Sequence, residues 1–140
     1  MADSENCIFC KIVAGKLPSY KVYEDELFFG FLDIVPRSKG HTLLVPKKHY
    51  RWTYDLPGEE FKKYWATALE ITRAQQKALK PQWIKYFTFG EIPHAHIHIQ
   101  PRYDEMKAET PIITQTIQIN ESEMQEIARK ILDIVSHPVY

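Results

Sequence analysis

Three histidines occupy alternate positions in the segment His94-Ala95-His96-Ile97-His98. Residues two apart on a β-strand share a face. The spacing therefore predicts three imidazoles in a row, roughly 7 Å apart, with Ala95 and Ile97 turned into apolar packing. Imidazole is both a competent nucleophile and a proton carrier near neutral pH, and it can also ligate a metal. A single strand histidine would pass as an ordinary core or surface residue. Three on one face would each need their own polar partners if buried, so the row points to chemistry.

The second constellation is Cys7-Ile-Phe-Cys10. Two cysteines cannot build a disulfide framework. A redox pair normally opens a helix after a strand, whereas only six mostly polar residues precede Cys7. Zinc fits the pair better, and a structural zinc site needs four ligands. His49, in Pro46-Lys-Lys-His49, offers a third and one member of the histidine row a fourth. Two buried free cysteines packing as small hydrophobes remain the alternative.

The elements that must hold these residues can be read from periodicity. Ile8, Phe9, Ile12 and Val13 share a helical face within Cys7 to Ala14, and Gly15 is a good residue to end that helix. Tyr20 to Glu24 alternates as a strand and Leu27 to Leu32 reads as a second one, and with the turn signal Asp25-Glu26 between them they predict a hairpin. Thr42 to Val45 is apolar enough for a central strand. A long helix is expected from Pro57 to Leu79, with Pro57 at its first position and Glu59 and Glu60 in its first turn. Phe61, Tyr64, Trp65, Ala68, Leu69, Thr72 and Leu79 form its core-facing stripe. Lys77 and Lys80 sit at its far end, and Pro81 stops it. Gln82 to Phe89 and His94 to Gln100 read as further strands, and Thr114 to Ile119 as a short edge strand. A final helix from Glu121 to Ile134 carries Ile127, Ile131 and Ile134 on one face and is capped by Asn120. Strands beside helices without βαβ alternation predict an α+β fold with an antiparallel sheet.

The chain has 140 residues, 44% of them hydrophobic, with 18 Lys plus Arg against 18 Asp plus Glu. That is one domain of ordinary size. Formal neutrality without a basic stripe argues against nucleic acid or an anionic membrane as partner, and so against a zinc-based nucleic-acid binder. No apolar run approaches the roughly 20 residues of a membrane span. The polar start Met1-Ala-Asp-Ser-Glu-Asn lacks the pattern of a signal peptide, so a reduced, cytoplasmic setting is expected.

Four segments in order resemble the histidine triad (HIT) family. They are Cys7-Ile-Phe-Cys-Lys-Ile-Val-Ala-Gly-Lys-Leu-Pro-Ser, Phe31-Leu-Asp-Ile-Val-Pro36, Gly40-His-Thr-Leu-Leu-Val-Pro-Lys-Lys-His49 and Pro93-His-Ala-His-Ile-His98. The resemblance spans Cys7 to Arg102. It implies a HIT-like fold: a sheet of about five antiparallel strands, a short N-terminal helix, one long helix and a C-terminal helix, with protomers paired as a homodimer. The whole chain, 1–140, would be a single HIT domain with a core over 7–102 and a C-terminal extension over 103–140.

The resemblance also implies an activity: hydrolysis or transfer at the α-phosphate of a nucleotide conjugate, through a nucleotidyl-histidine intermediate. His96 would be the nucleophile, and His98 would donate to a phosphate oxygen or the leaving atom. Ile8, Phe9, Ile12, Phe31 and Ile34 would sandwich a purine, and Asp33 would accept hydrogen bonds from the ribose hydroxyls. Zinc-containing relatives map their ligands onto Cys7, Cys10, His49 and His94, giving one structural zinc per chain, and the chemistry would not need Mg²⁺.

The chain also departs from the family pattern. Gly90-Glu91 stands where many relatives carry Gln and a hydroxyl residue, Tyr86-Phe-Thr-Phe89 replaces an Asn-x-Gly segment, and Gln100 occupies a position usually apolar. Ser136-His-Pro-Val-Tyr140 takes the place of a Trp-Pro-Pro-Gly tail. Nucleoside phosphoramidates are the expected substrates, with dinucleoside polyphosphates as the enzymatic alternative. A nucleotide-binding sensor or scaffold with little turnover is the non-enzymatic one.

Overall fold

The computed structural model describes residues 6–103 and 115–136. A short helix α1 (Ile8–Val13) comes first, followed by strands β1 (Lys21–Glu24), β2 (Phe28–Leu32) and β3 (Thr42–Pro46). One 3-10 turn (Thr53–Asp55) leads into the long helix α2 (Gly58–Leu79). Strands β4 (Trp83–Phe87) and β5 (Ile97–Arg102) and a last helix α3 (Glu121–Ser136) complete the order. The five strands form one antiparallel sheet in the order β1-β2-β3-β5-β4. The α+β class read from the sequence is the class observed.

Strand alternation divides the core. Phe28, Leu44, Ile97 and Ile99 pack on α2 through Tyr64, Ala68 and Ile71. Phe29, Phe31, Leu43 and Val45 face the opposite way and pack with Cys7 and Phe9 of the N-terminal segment. A third cluster joins α3 to β1 and α2 through Val22, Leu32, Ala74, Met124, Ile127 and Ile131. Helix α2 thus covers one face of the sheet, and α1 lies against the other.

Local chemistry explains the boundaries. Asp25 makes the β1–β2 turn by accepting the Leu27 and Phe28 N–H groups at 2.7 and 2.8 Å. Helix α1 ends in a Schellman pair, Gly15 N–H to Ile12 C=O and Lys16 N–H to Lys11 C=O, with Gly15 at φ +77°. Asn120 caps α3 by accepting the Glu123 N–H at 2.8 Å.

Four expectations need correction. The expected strand over His94–Gln100 begins only at Ile97. Before that point the Ala95 N–H donates to the Tyr50 carbonyl and the His94 N–H to the Ile92 carbonyl, so alternation outruns the ladder. The stretch from Thr114 is not a strand over its described part, 115–120; Ile117 instead donates to the Pro36 carbonyl, and Thr114 itself lies outside the described residues. On α2, Phe61 and Leu69 are 36% and 48% exposed, while Ile71, Ala74 and Gln75 are buried. Gln75 earns its buried place by donating to the Gly40 carbonyl and Thr42 Oγ1. Finally, Pro57 precedes α2 as its cap rather than opening it.

Candidate active site

All three row histidines are buried, at 0%, 3% and 5% exposure for His94, His96 and His98. They do not share one environment. His94 turns toward the cysteines, whereas His96 and His98 face each other at a ring separation of 5.0 Å. Phe9 of α1 stands between the two groups, edge-on to both His94 and His96.

The cluster of Cys7, Cys10, His49 and His94 brings four donor atoms within 4.8 Å of one another. His94 Nδ1 lies 3.2 Å from Cys7 Sγ, 3.4 Å from Cys10 Sγ and 3.1 Å from His49 Nδ1. His49 Nδ1 is 3.2 Å from Cys10 Sγ. Donors on a tetrahedron with metal bonds of about 2.0–2.3 Å would sit roughly 3.3–3.8 Å apart, close to these values. The far nitrogen of His94, Nε2, donates to the Pro46 carbonyl at 2.8 Å, so its Nδ1 lone pair points into the cluster. That is how a metal-bound histidine is oriented. Burial, then the neighbouring Cys7, pushes the Cys10 thiol up to about 12. The donor set, its spacing and the His94 orientation all suit a tetrahedral Zn²⁺.

The same logic fixes His96. Its Nδ1–H donates to the His94 carbonyl at 2.8 Å, which leaves the Nε2 lone pair free. Burial lowers its pKa, favouring the neutral ring. A hollow of about 540 Å³ lies against it, lined by residues of α1, β2 and the segments after β2 and β4. The predicted residues Ile8, Phe9, Ile12, Phe31, Asp33, Ile34, His96 and His98 all line this space. Ile34 is nonetheless 73% exposed, so it forms the rim rather than a wall. Asp33 is buried with its Oδ1 accepting the Val35 N–H at 3.0 Å, and burial raises its pKa despite that bond. Glu91 and Arg37 add one charge of each sign to the lining.

Sequence reasoning missed His41. It is fully buried and its Nε2 lies 2.8 Å from His98 Nδ1. The backbone N–H of Arg37 donates to His41 Nδ1, so in the neutral ring the proton sits on Nε2 and is given to His98. His98 must then carry its own proton on Nε2, a buried atom with no partner among the described residues. Burial holds both rings neutral, at about 3 for His41 and about 2 for His98. Phe87 stacks on His98 at 4.3 Å and fixes its plane. The signal was present: His41 alternates with Leu43 and Val45, the β3 residues of the α1-side cluster.

A free imidazole nitrogen, an opposed N–H donor and a buried carboxylate thus converge on one hollow of nucleotide size. Residues 14–105 match the HIT domain family. The chain belongs to the HIT family. Protein hit of Bacillus subtilis (strain 168) is 44% identical over 109 residues, covering 74% of this chain and 75% of that protein. The adenosine 5'-monophosphoramidase HNT1 of Saccharomyces cerevisiae is 34% identical over 105 residues, covering 71% of this HIT chain and 64% of the yeast one. A Zn-bound histidine triad family protein from Mycobacterium smegmatis superposes with a TM-score of 0.79 at 30% identity, covering 95% of each chain.

Proposed function

We propose that the protein is a nucleotide hydrolase or transferase acting on nucleoside phosphoramidates, with His96 as nucleophile. The observation that carries this reading is the His96 Nδ1–H bond to the His94 carbonyl, which directs an unprotonated Nε2 to a hollow of about 540 Å³. Nε2 attacks the α-phosphorus and forms an N–P bond. The P–N bond to the leaving group breaks, and the departing nitrogen takes up a proton from water. A second water then attacks phosphorus, releases the nucleoside monophosphate and returns His96 to its neutral form. His98 Nε2–H donates to a phosphate oxygen as charge builds there. Ile8, Phe9, Ile12, Phe31 and Ile34 hold the purine, and Asp33 accepts from the ribose hydroxyls. The 34% identical yeast phosphoramidase supports this substrate class.

Cys7, Cys10, His49 and His94 would hold one structural Zn²⁺, which fastens α1 to the start of β5. Four protein ligands leave it no open position for substrate. The zinc-bound relative from Mycobacterium smegmatis supports the assignment. Residues 1–140 would form one domain, its core over 7–102, and pair as a homodimer. Exposed Trp83 and Tyr86 on the outer strand β4 support such pairing. Among the described residues no helix is long and apolar enough to cross a membrane.

The test is incubation with adenosine 5'-phosphoramidate, followed by intact mass for an adenylyl adduct and by assay for released AMP. Turnover in the parent and none in His96→Ala is the expected result. Nucleotide binding without turnover in the parent would instead establish a sensor, a reading that Glu91 beside the phosphate-binding end of the hollow favours.

A further inference from the structure

The proton between His41 and His98 can run either way. With His41 donating, His98 carries its own proton on Nε2 and can give it to a ligand. With His98 donating, its Nε2 becomes a bare acceptor. The 2.8 Å bond between the rings is satisfied in both cases. Asp33 Oδ2, at 3.8 Å from His41 Nε2, is beyond hydrogen-bond reach. Among the described residues, the one hydrogen bond that tells the two states apart is the Arg37 backbone N–H on His41 Nδ1, at 3.1 Å.

We propose that Ser38 and Tyr103 are positioning residues: by pinning the loop 36–40 they hold the Arg37 N–H on His41 and so set the direction of the proton through both rings. This rests on the role given to His98 above. Neither residue lines the hollow, so both act through His41.

The loop between β2 and β3 has no regular structure of its own, yet distant segments grip it. The Pro36 carbonyl accepts the Ile117 N–H at 2.8 Å. Ser38 is 3% exposed, and its hydroxyl donates at 2.6 Å to the carbonyl of Pro101. Pro101 lies on β5, three residues after His98, so this bond ties the loop to the strand that bears the donor. The Lys39 carbonyl accepts the Tyr103 hydroxyl at 2.7 Å, and the Lys39 ammonium meets Glu123 of α3 at 3.0 Å. The Gly40 carbonyl accepts from Gln75 of α2 at 3.0 Å. Gly40 itself stands at φ +89°, where a Cβ would run into Leu79 at the end of α2. The His41 N–H returns to the Ser38 carbonyl at 3.2 Å and closes the turn around Arg37. A buried bond such as that of Ser38 costs more to lose than the exposed Lys39–Glu123 pair.

Long-range proton–nitrogen NMR of the imidazole rings reads each tautomer without substrate. In the parent, His41 and His98 should both carry the proton on Nε2. Ser38→Ala should move a measurable fraction of His98 to the Nδ1–H form. On adenosine 5'-phosphoramidate it should lower kcat by about tenfold with KM changed less than about twofold, as a partial loss of one phosphate donor. Tyr103→Phe should act in the same direction and less strongly, and it carries the comparison should Ser38→Ala not fold. Ser38→Thr keeps the hydroxyl and should restore both readouts. Parental tautomers in the folded variants overturn the proposal, even if kcat falls, and so does a parent whose His98 is protonated on Nδ1. No turnover in the parent, with tautomers shifting as expected, would overturn the enzymatic reading and leave the loop's role standing.

Discussion

His41 Nε2 lies 2.8 Å from His98 Nδ1, and the shared proton belongs to His41. A residue 57 positions away in sequence thereby dictates which nitrogen of His98 carries its proton. His98 never needs to be charged to donate, because its tautomer is set by a neutral neighbour.

Loss of that neighbour should slow turnover without greatly changing affinity. His98→Ala should cost roughly 10²–10³ in kcat, the range for one lost donor to a developing oxyanion. His41→Ala should lose part of that, and His41→Gln, whose amide N–H can still donate, should retain more. Steady-state kcat and KM on adenosine 5'-phosphoramidate check this. A parental kcat in His41→Ala would remove His41 from the mechanism.

Stability should depend on pH through the same pair. Unfolded, each histidine protonates near pH 6.5, whereas in the fold His41 waits until about 3 and His98 until about 2. Between those limits the unfolded chain binds more protons, so stability is lost as pH falls from 6.5 toward 3. Desolvation is the main cause for both rings, and the positive charges of Arg37 and Lys85 add to it at His41. Asp33 acts in the opposite sense, since burial raises its pKa and it protonates more readily in the fold. The urea midpoint should drop from pH 7 to pH 5, and drop less in His41→Gln. Equal drops in the two proteins would contradict the assignment.

Purified protein should contain about one zinc per chain by elemental analysis. Cys10→Ser should lose it and unfold at lower temperature, and a strong chelator should do the same to the parent. Cys7→Ala should do more damage than Cys10→Ala, because Cys7 Sγ also accepts the Cys10 N–H at the start of α1, whereas Cys7→Ser should lose the metal but keep that cap. A full complement of zinc in Cys10→Ser would rule out the four-residue site.

Much of this arrangement could be read from residue order. The short apolar runs Phe28-Phe29-Gly30-Phe31 and Leu43-Leu44-Val45 predicted strands, and the two faces of those strands became two cores. Asp25 and Asn120 announced a turn and a cap through their own side-chain chemistry. What escaped was polar burial. Gln75 looks like a surface residue until the Gly40 carbonyl and Thr42 reach it, and His41, though its alternation with Leu43 and Val45 turns it inward, gains its partner only from His98 on β5. The start of β5 escaped for a related reason, since the Ala95 backbone is claimed by Tyr50 and no periodicity can register that.

Cys7 and Cys10 sit at the head of the helix whose Ile8, Phe9 and Ile12 wall the larger hollow, and His94 lends its carbonyl to aim His96. In the proposed mechanism, one knot of four side chains therefore underpins both grip and strike. Whatever loosens it, whether thiol oxidation or acid, would blunt affinity and turnover in the same stroke.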